Sequence, residues 1–257
     1  IRDYDASRGL GDVYKRQSVK EGEGAAFLKA AMPFLDEDAE MRADVEMAAR
    51  IIEDRALKTR QFFNTIAEHW DTLSREVLGG FDLAGAVCDT MPEGCDTSVD
   101  LGCGTGIVLE RMRGRARQII GVDGSPRMLE LSRRRLAGVE GEPEGVSLRI
   151  GELSHLPLRD CEADFASINM VLHHLSNPEN ALAEIRRVLR SGGLLVVADF
   201  DRHTQERMRL DYGDLWLGFD EATMARLLHA ASFEVVSTTR YPVEQGLALN
   251  LTLARRL

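Results

Sequence analysis

From Thr97 onward, short runs rich in β-branched and apolar residues alternate with segments of helical period. The runs are Thr97–Leu101, Gln118–Asp123, Val146–Ile150, Asp164–Asn169, Leu194–Asp199, Glu234–Thr239 and Leu247–Ala254. Strands alternating with helices predict a parallel sheet covered by helices on both faces. Helix starts are marked by Ser125-Pro126 and by Asn177-Pro178, each a capping side chain followed by a proline at the first helical position. Ser191-Gly192-Gly193 is expected to end the second of these helices, because glycine accepts the left-handed cap conformation. The last two runs are separated only by Arg240 to Gly246. That connection is too short for a helical crossover, so they should pair antiparallel.

Upstream, residues 36–60 are dense in charge and good helix formers, with Met41, Val45, Ala48 and Ile52 spaced as an apolar seam. Such a narrow stripe packs on its own domain or pairs with a second copy. Leu28 and Ala31 to Leu35 form a shorter apolar patch broken at Pro33. Residues 1–17 have neither period and are set aside as a disordered or non-native terminus. The expected organisation is therefore 1–17 outside the fold, 18–60 a helical segment able to act as a dimerisation helix, and 61–257 the α/β domain.

Composition narrows the classes. The 257 residues carry 32 Lys plus Arg against 42 Asp plus Glu, a formal charge of −10 that argues against a nucleic-acid-coating surface. No run of 18 apolar residues and no basic-then-apolar leader occurs, so the expectation is a cytoplasmic protein without a membrane partner. Cys88, Cys95, Cys103 and Cys161 form no CxxC pair and have no zinc-finger spacing with histidine. They read as reduced thiols, and no residues are assigned to a metal. A thiophilic metalloid on Cys88, Cys95 and Cys103 is the minority alternative.

The chemistry gathers at the predicted strand ends. The first strand runs into Asp100-Leu101-Gly102-Cys103-Gly104-Thr105-Gly106, a glycine-rich turn before a helix that aims its N–H groups at a ligand. A dinucleotide fingerprint would need glycine or alanine where Ile107 stands, and no P-loop spacing occurs. Asp100 would repel phosphate but receive a cationic amino group. Asp123, ending the second strand, can accept both hydroxyls of a ribose. Glu152 can accept from an adenine amino group while the backbone at Leu153 reads the ring edge, and Asn169-Met170-Val171 can hold the amino end of a ligand. Singly, Asp123 reads as a helix cap and Glu152 as a solvated loop acid. Their shared position at successive strand ends is what points to a ligand with an amino-acid end and a nucleoside end.

VDLGCGTG, GVDGSPRML, GELSHLPL and NMVLHHLSNPENALAEIRRVLRSGGLLVVADF together resemble the motifs of the class I S-adenosylmethionine (SAM)-dependent methyltransferases, from about Phe62 to the C-terminus. Glu152 stands where that family more often has Asp. The resemblance implies a Rossmann-like, seven-stranded, mostly parallel sheet with an antiparallel last strand, preceded by an N-terminal helical segment. It implies SAM as cofactor and S-adenosylhomocysteine as product. Cofactor contacts then fall on Asp100, Gly102, Cys103, Gly104, Thr105, Gly106, Asp123, Gly124, Met128, Glu152, Leu153 and Asn169. FFNTIAEHWD resembles the family's lid segment, which would set Phe63 and Trp70 at the SAM pocket, against a plain reading as helix packing. ADVEMAARIIEDRALKTRQFF and YGDLWLGFDEATMARLLHAASFEVV resemble proteins that fuse a winged-helix regulator of the arsenic-repressor type to a methyltransferase. In that resemblance residues 18–60 carry the dimer helix, and DNA-reading helices lie upstream.

The expected activity is methylation of a small-molecule acceptor whose identity the sequence does not disclose. The alternatives are a regulator whose methyltransferase fold senses or modifies an effector, and a nicotinamide oxidoreductase, disfavoured by Ile107. Catalytic residues are unassigned. His173 and His174 follow the fourth strand and are candidate bases if the acceptor must lose a proton, against a plain reading as internal packing and loop hydrogen bonding.

Overall fold

The computed structural model describes residues 39–137 and 145–257, apart from the side chains at 39–46, 48, 49, 52 and 53. The seam of Met41, Val45, Ala48 and Ile52 therefore lies outside the described side chains, and the patch at residues 28–35 and the terminus 1–17 lie outside the described residues. The chain divides into two units, Ile1–Asp54 and Arg55–Leu257. Helix α1, Ala39–Ile66, crosses that division. In the first unit Met47 and Ile51 are exposed.

In the second unit α1 gives way to a 3-10 turn, Ala67–His69, then α2 (Trp70–Leu78) and α3 (Leu83–Cys88). The alternating part follows: β1 (Cys95–Leu101), α4 (Ile107–Met112), β2 (Ala116–Asp123), α5 (Pro126–Ala137), β3 (Val146–Ile150), β4 (Ala163–Asn169), α6 (Pro178–Val188) and β5 (Leu189–Phe200). Then come α7 (Arg207–Asp211), α8 (Glu221–Ala230), β6 (Phe233–Pro242) and β7 (Ala248–Arg256). The strands form one sheet in the order β3-β2-β1-β4-β5-β7-β6, with β7 antiparallel to both neighbours and the other pairings parallel.

Both faces of the sheet are buried, and the two-residue strand period sorts the side chains between them. Val99, Ile120, Ala166 and Val197 pack in one core with Leu182, Ile185 and Val188 of α6 and Leu228 of α8. Their chain neighbours Ile119, Phe165 and Val196 face the other, with Val87 of α3, Leu109 and Met112 of α4, and Leu129 of α5. The helix caps act as their residue types predict: Ser125 Oγ accepts from Met128 N at 3.2 Å and Asn177 Oδ1 from Asn180 N at 3.1 Å.

One punctuation signal works differently from expectation. Helix α6 stops at Val188, before Ser191-Gly192-Gly193, and the next residue is already extended. The glycine pair instead lies within β5, where the pairing with β4 jumps from Ala163↔Leu189 to Phe165↔Leu194. Gly192 takes φ 76° to make this bulge, and a side chain on Gly193 would begin 2.8 Å from the Arg190 carbonyl oxygen. A left-handed glycine marks a sharp chain reversal; whether that reversal ends a helix or bulges a strand depends on the neighbouring strand.

Candidate active site at the carboxyl edge of the sheet

Strand order reverses between β1 and β4, and an open parallel sheet offers its ligand crevice where the order reverses, beyond the carboxyl ends of the strands. The glycine loop lies there. Gly102, Gly104 and Gly106 all have positive φ, but they serve different neighbours. A side chain on Gly106 would start 2.4 Å from Ser132 Oγ, so this glycine lets α5 pack close. A side chain on Gly104 would start 3.8 Å from Trp70 Nε1, so this position opens under the aromatic ring. Cys103 turns inward to the apolar core, its thiol pushed well above the ordinary range by burial. Thr105 donates to Asp71 Oδ1 at 2.6 Å, and Arg135 ties the same pair by bonding Asp71 and the Thr105 carbonyl.

Asp100 is buried and does not face outward. Its Oδ1 accepts from Ser167 Oγ at 2.6 Å and Asn169 Nδ2 at 3.0 Å, and burial pushes its pKa up to about 7. The Asn169 amide nitrogen is fixed by Asp100, while its buried Oδ1 has no hydrogen-bond partner among the described residues. A buried bare acceptor, backed by a carboxylate, fits an ammonium group.

Asp123 links the two loops: Oδ2 accepts from Gly104 N at 2.9 Å and Oδ1 from Ser125 N at 2.8 Å. Burial raises its pKa against these bonds. Two of roughly four lone-pair sites are taken, which leaves room for ligand hydroxyls. Gly124 faces the carbonyl of Gly151 across the crevice, Met128 is buried on α5, and Leu153 packs against the core. Glu152 is exposed and ion-paired with Arg60 of α1.

That ion pair belongs to a cover the sequence motifs did not disclose in detail. Asn64 accepts from Ser125 Oγ at 2.7 Å and Arg127 N at 3.2 Å, at the start of α5. Phe63 stands edge-on to Trp70 (ring centroids 5.2 Å apart) and to His174 (4.8 Å). Arg60, Asn64 and Asp71 thus hold the α1–α2 segment over the loops that carry Glu152, Ser125 and Thr105. Nothing in their own spacing announces it, since each partner lies far away in sequence.

Beyond β4 the chain turns through Met170, at φ 58°, whose N–H is held by the Ala198 carbonyl at 2.7 Å. A non-glycine residue there costs about 1–2 kcal/mol. The turn delivers His173 and His174 into the wall of a small pocket lined also by Trp70, Leu73, Val77, Phe200, Met208, Tyr212 and Asp214. His173 Nδ1 lies 2.7 Å from Asp199 Oδ1. Burial works against charge on His173, but Asp199 and Asp214 outweigh it and raise its pKa. His174 is pushed far down by burial and by His173. Asp214 is raised to about 6, chiefly by burial. The two histidines were foreseen as a pair; Asp199 and Asp214 were not, although Asp199 closes a predicted strand. The minority reading of three cysteines fails: Cys88 and Cys95 are buried thiols raised to about 11, and no cysteine joins a metal-holding group among the described residues.

Residues 99–197 match a family model described as a methyltransferase domain. The sheet order and the crevice agree with that description. Among relatives, the chain is 37% identical over 123 residues to an uncharacterized 37.1 kDa protein in transposon TN4556 of Streptomyces fradiae, covering 47% of this chain and 34% of that one. It is 28% identical over 212 residues to a demethylmenaquinone methyltransferase of Desulfitobacterium hafniense, covering 76% and 80%. A geranyl diphosphate methyltransferase solved in complex with SAM has the same fold, with a TM-score of 0.59 at 16% identity, covering 68% of this chain and 84% of that one. The chain thus spans about a third of the first relative and about four fifths of the second. No helix among the described residues is long and apolar enough to cross a membrane.

Proposed function

We propose that the protein transfers the methyl group of SAM to a small acceptor with an apolar body, bound in the pocket lined by Trp70, Met170, Phe200 and Tyr212. The observation that carries this reading is the position of Trp70. Its ring covers Gly104 of the cofactor loop and also forms part of the pocket wall. SAM supplies a methyl group on a sulfonium sulfur, open to in-line displacement. Asn169 Oδ1 would accept from its ammonium group and Asp123 from a ribose hydroxyl. Glu152 and the backbone at Leu153 would meet the adenine edge, with Glu152 shared with Arg60. The α1–α2 cover would exclude water, and alignment with exclusion of water is most of what such a transfer asks of a protein. The demethylmenaquinone named for several relatives is an apolar ring compound, a class that the pocket wall suits. On spacing alone, the seam at Met41, Val45, Ala48 and Ile52 is proposed as a self-pairing surface, which sedimentation of the whole chain as a monomer would overturn.

The test is a melting-temperature titration with SAM and with NAD, followed by transfer of labelled methyl from SAM to a panel of quinols and phenols. SAM should raise the melting temperature, as a ligand of the native state must. Asp123→Ala should weaken SAM binding at least about tenfold through a lost charge-assisted bond. A shift with NAD and none with SAM would overturn the reading.

A further inference from the structure

Asp214 presents an electrostatic problem. Its side chain is fully buried, and neither carboxylate oxygen accepts a hydrogen bond among the described residues. Buried carboxylates are ordinarily paired or coordinate a metal. The groups nearest it are two imidazoles: Oδ1 lies 3.6 Å from His173 Nε2 and 3.8 Å from His174 Nδ1. These separations are too long for hydrogen bonds. They are close to those of ligands sharing one ion: two donors at about 2.0–2.1 Å from a tetrahedral centre stand roughly 3.4 Å apart. One ligand atom from each of the three residues falls within 4.8 Å of the others.

The surrounding bonds orient the donors. Asp199 Oδ1 accepts from His173 Nδ1, so the proton sits on Nδ1 and the lone pair of Nε2 faces Asp214. Asp199 is itself held by the His173 and Phe200 backbone N–H groups, at 3.3 and 2.7 Å. A carboxylate behind a histidine is the usual arrangement that fixes a ligating imidazole. On the other side, Leu215 N and Trp216 N both donate to the His173 carbonyl, at 2.9 and 3.0 Å, which holds Asp214 beside the turn.

We propose that His173 Nε2, His174 Nδ1 and Asp214 form a binding site for a divalent first-row transition metal of the zinc type, with His174 giving up its 3.3 Å bond from Nδ1 to the Gly213 carbonyl and carrying its proton on the unpartnered Nε2 instead. Two nitrogens and one oxygen suit zinc, cobalt or nickel rather than magnesium or calcium, which want oxygen ligands. All three residues line the pocket, so three protein ligands leave a fourth position facing it, the pattern of a metal site open to an exogenous ligand. The site stands independently of the proposed methyl transfer. Its rival is a proton on His173 Nε2, which would satisfy Asp214 without a metal.

The experiment uses the whole chain, stripped with EDTA and returned to chelator-free buffer. Cobalt(II) is titrated by visible absorption and zinc by calorimetry. The expected result is one cobalt per chain, with the intense visible bands of low coordination, displaced by zinc. Cys161→Ser removes the exposed thiol and should leave binding unchanged. Asp214→Asn should abolish the bands, and Asp199→Asn should weaken zinc binding about 10–100-fold, the usual effect of losing an outer partner. Unchanged urea midpoints of the stripped variants separate ligand loss from unfolding, and His174→Gln replaces Asp214→Asn should the latter not fold. Absence of stoichiometric cobalt and zinc binding, or binding untouched by Asp214→Asn, would overturn the site. Failure to bind SAM would strike the proposed function and leave this result standing.

Discussion

Asp100 and Asp214 are both buried carboxylates at the carboxyl edge of the sheet, and their surroundings treat them in opposite ways. Asp100 is met by a hydroxyl and an amide from the adjacent strand β4, so its cost of burial is partly offset within the fold, although burial still raises its pKa to about 7. Asp214 comes from the segment after α7, among apolar groups and two imidazoles, with no donor to either oxygen among the described residues. A satisfied buried carboxylate positions its neighbours; one left without donors depends on a cation.

The largest effect expected is on the satisfied side. Asp100→Ala leaves the Ser167 hydroxyl and the Asn169 amide without their acceptor. Unpaired buried groups cost about 1–3 kcal/mol each, so urea unfolding of the cofactor-free protein should show a loss of roughly 2–4 kcal/mol. A loss well under 1 kcal/mol would mean that the network does little for stability.

The next test asks what that network presents to a ligand. Asn169→Leu removes the bare Oδ1, and a hydrogen bond to a charged group contributes about 1.5–3 kcal/mol, so SAM affinity by calorimetry should fall at least about tenfold. Unchanged affinity would leave Asp100 and Asn169 as purely structural.

On the other side the sign should reverse. In the metal-free protein, Asp214→Asn replaces a carboxylate that lacks donors with a neutral amide of the same shape. Stability should hold or rise by roughly 1 kcal/mol, because a buried charge without compensation is removed. A substantial loss would show that His173 already satisfies Asp214 as an ion pair.

A pH slope tests the burial of Asp100 itself. Burial raises the Asp100 pKa to about 7 in the folded state, against about 3.9 unfolded. The folded state therefore holds a proton that the unfolded state releases. The resulting stabilisation is complete below about pH 4 and is lost as pH rises through about 7. The stability of the wild type should fall over that window relative to Asp100→Asn; parallel curves would contradict the shift.

The strands, the glycine turn and the acids at the strand ends were readable along the chain because their causes are local. Alternating apolar positions dictate a two-sided strand, a proline after a capping residue dictates a helix start, and left-handed turns favour glycine. The spacing from Gly102 to Asp123 placed both at one edge of the sheet, where Gly104 and Asp123 meet. The direction in which Asp100 points was not readable, because Ser167 and Asn169 turn it inward from another strand. Nor was the role of Gly192, which the bulge against β4 decides.

Sequence by itself thus determined the order and type of the elements and which chemical groups stand at their ends. Tertiary structure alone decided which of those groups meet. Asp199 lies one residue before the end of β5, His173 follows β4, and Asp214 lies in a stretch with no period at all. Their convergence requires the parallel neighbours β4 and β5 to end side by side, with the segment after α7 folding back on the His173 carbonyl. Distances between groups far apart in the chain depend on packing, and no local pattern encodes them.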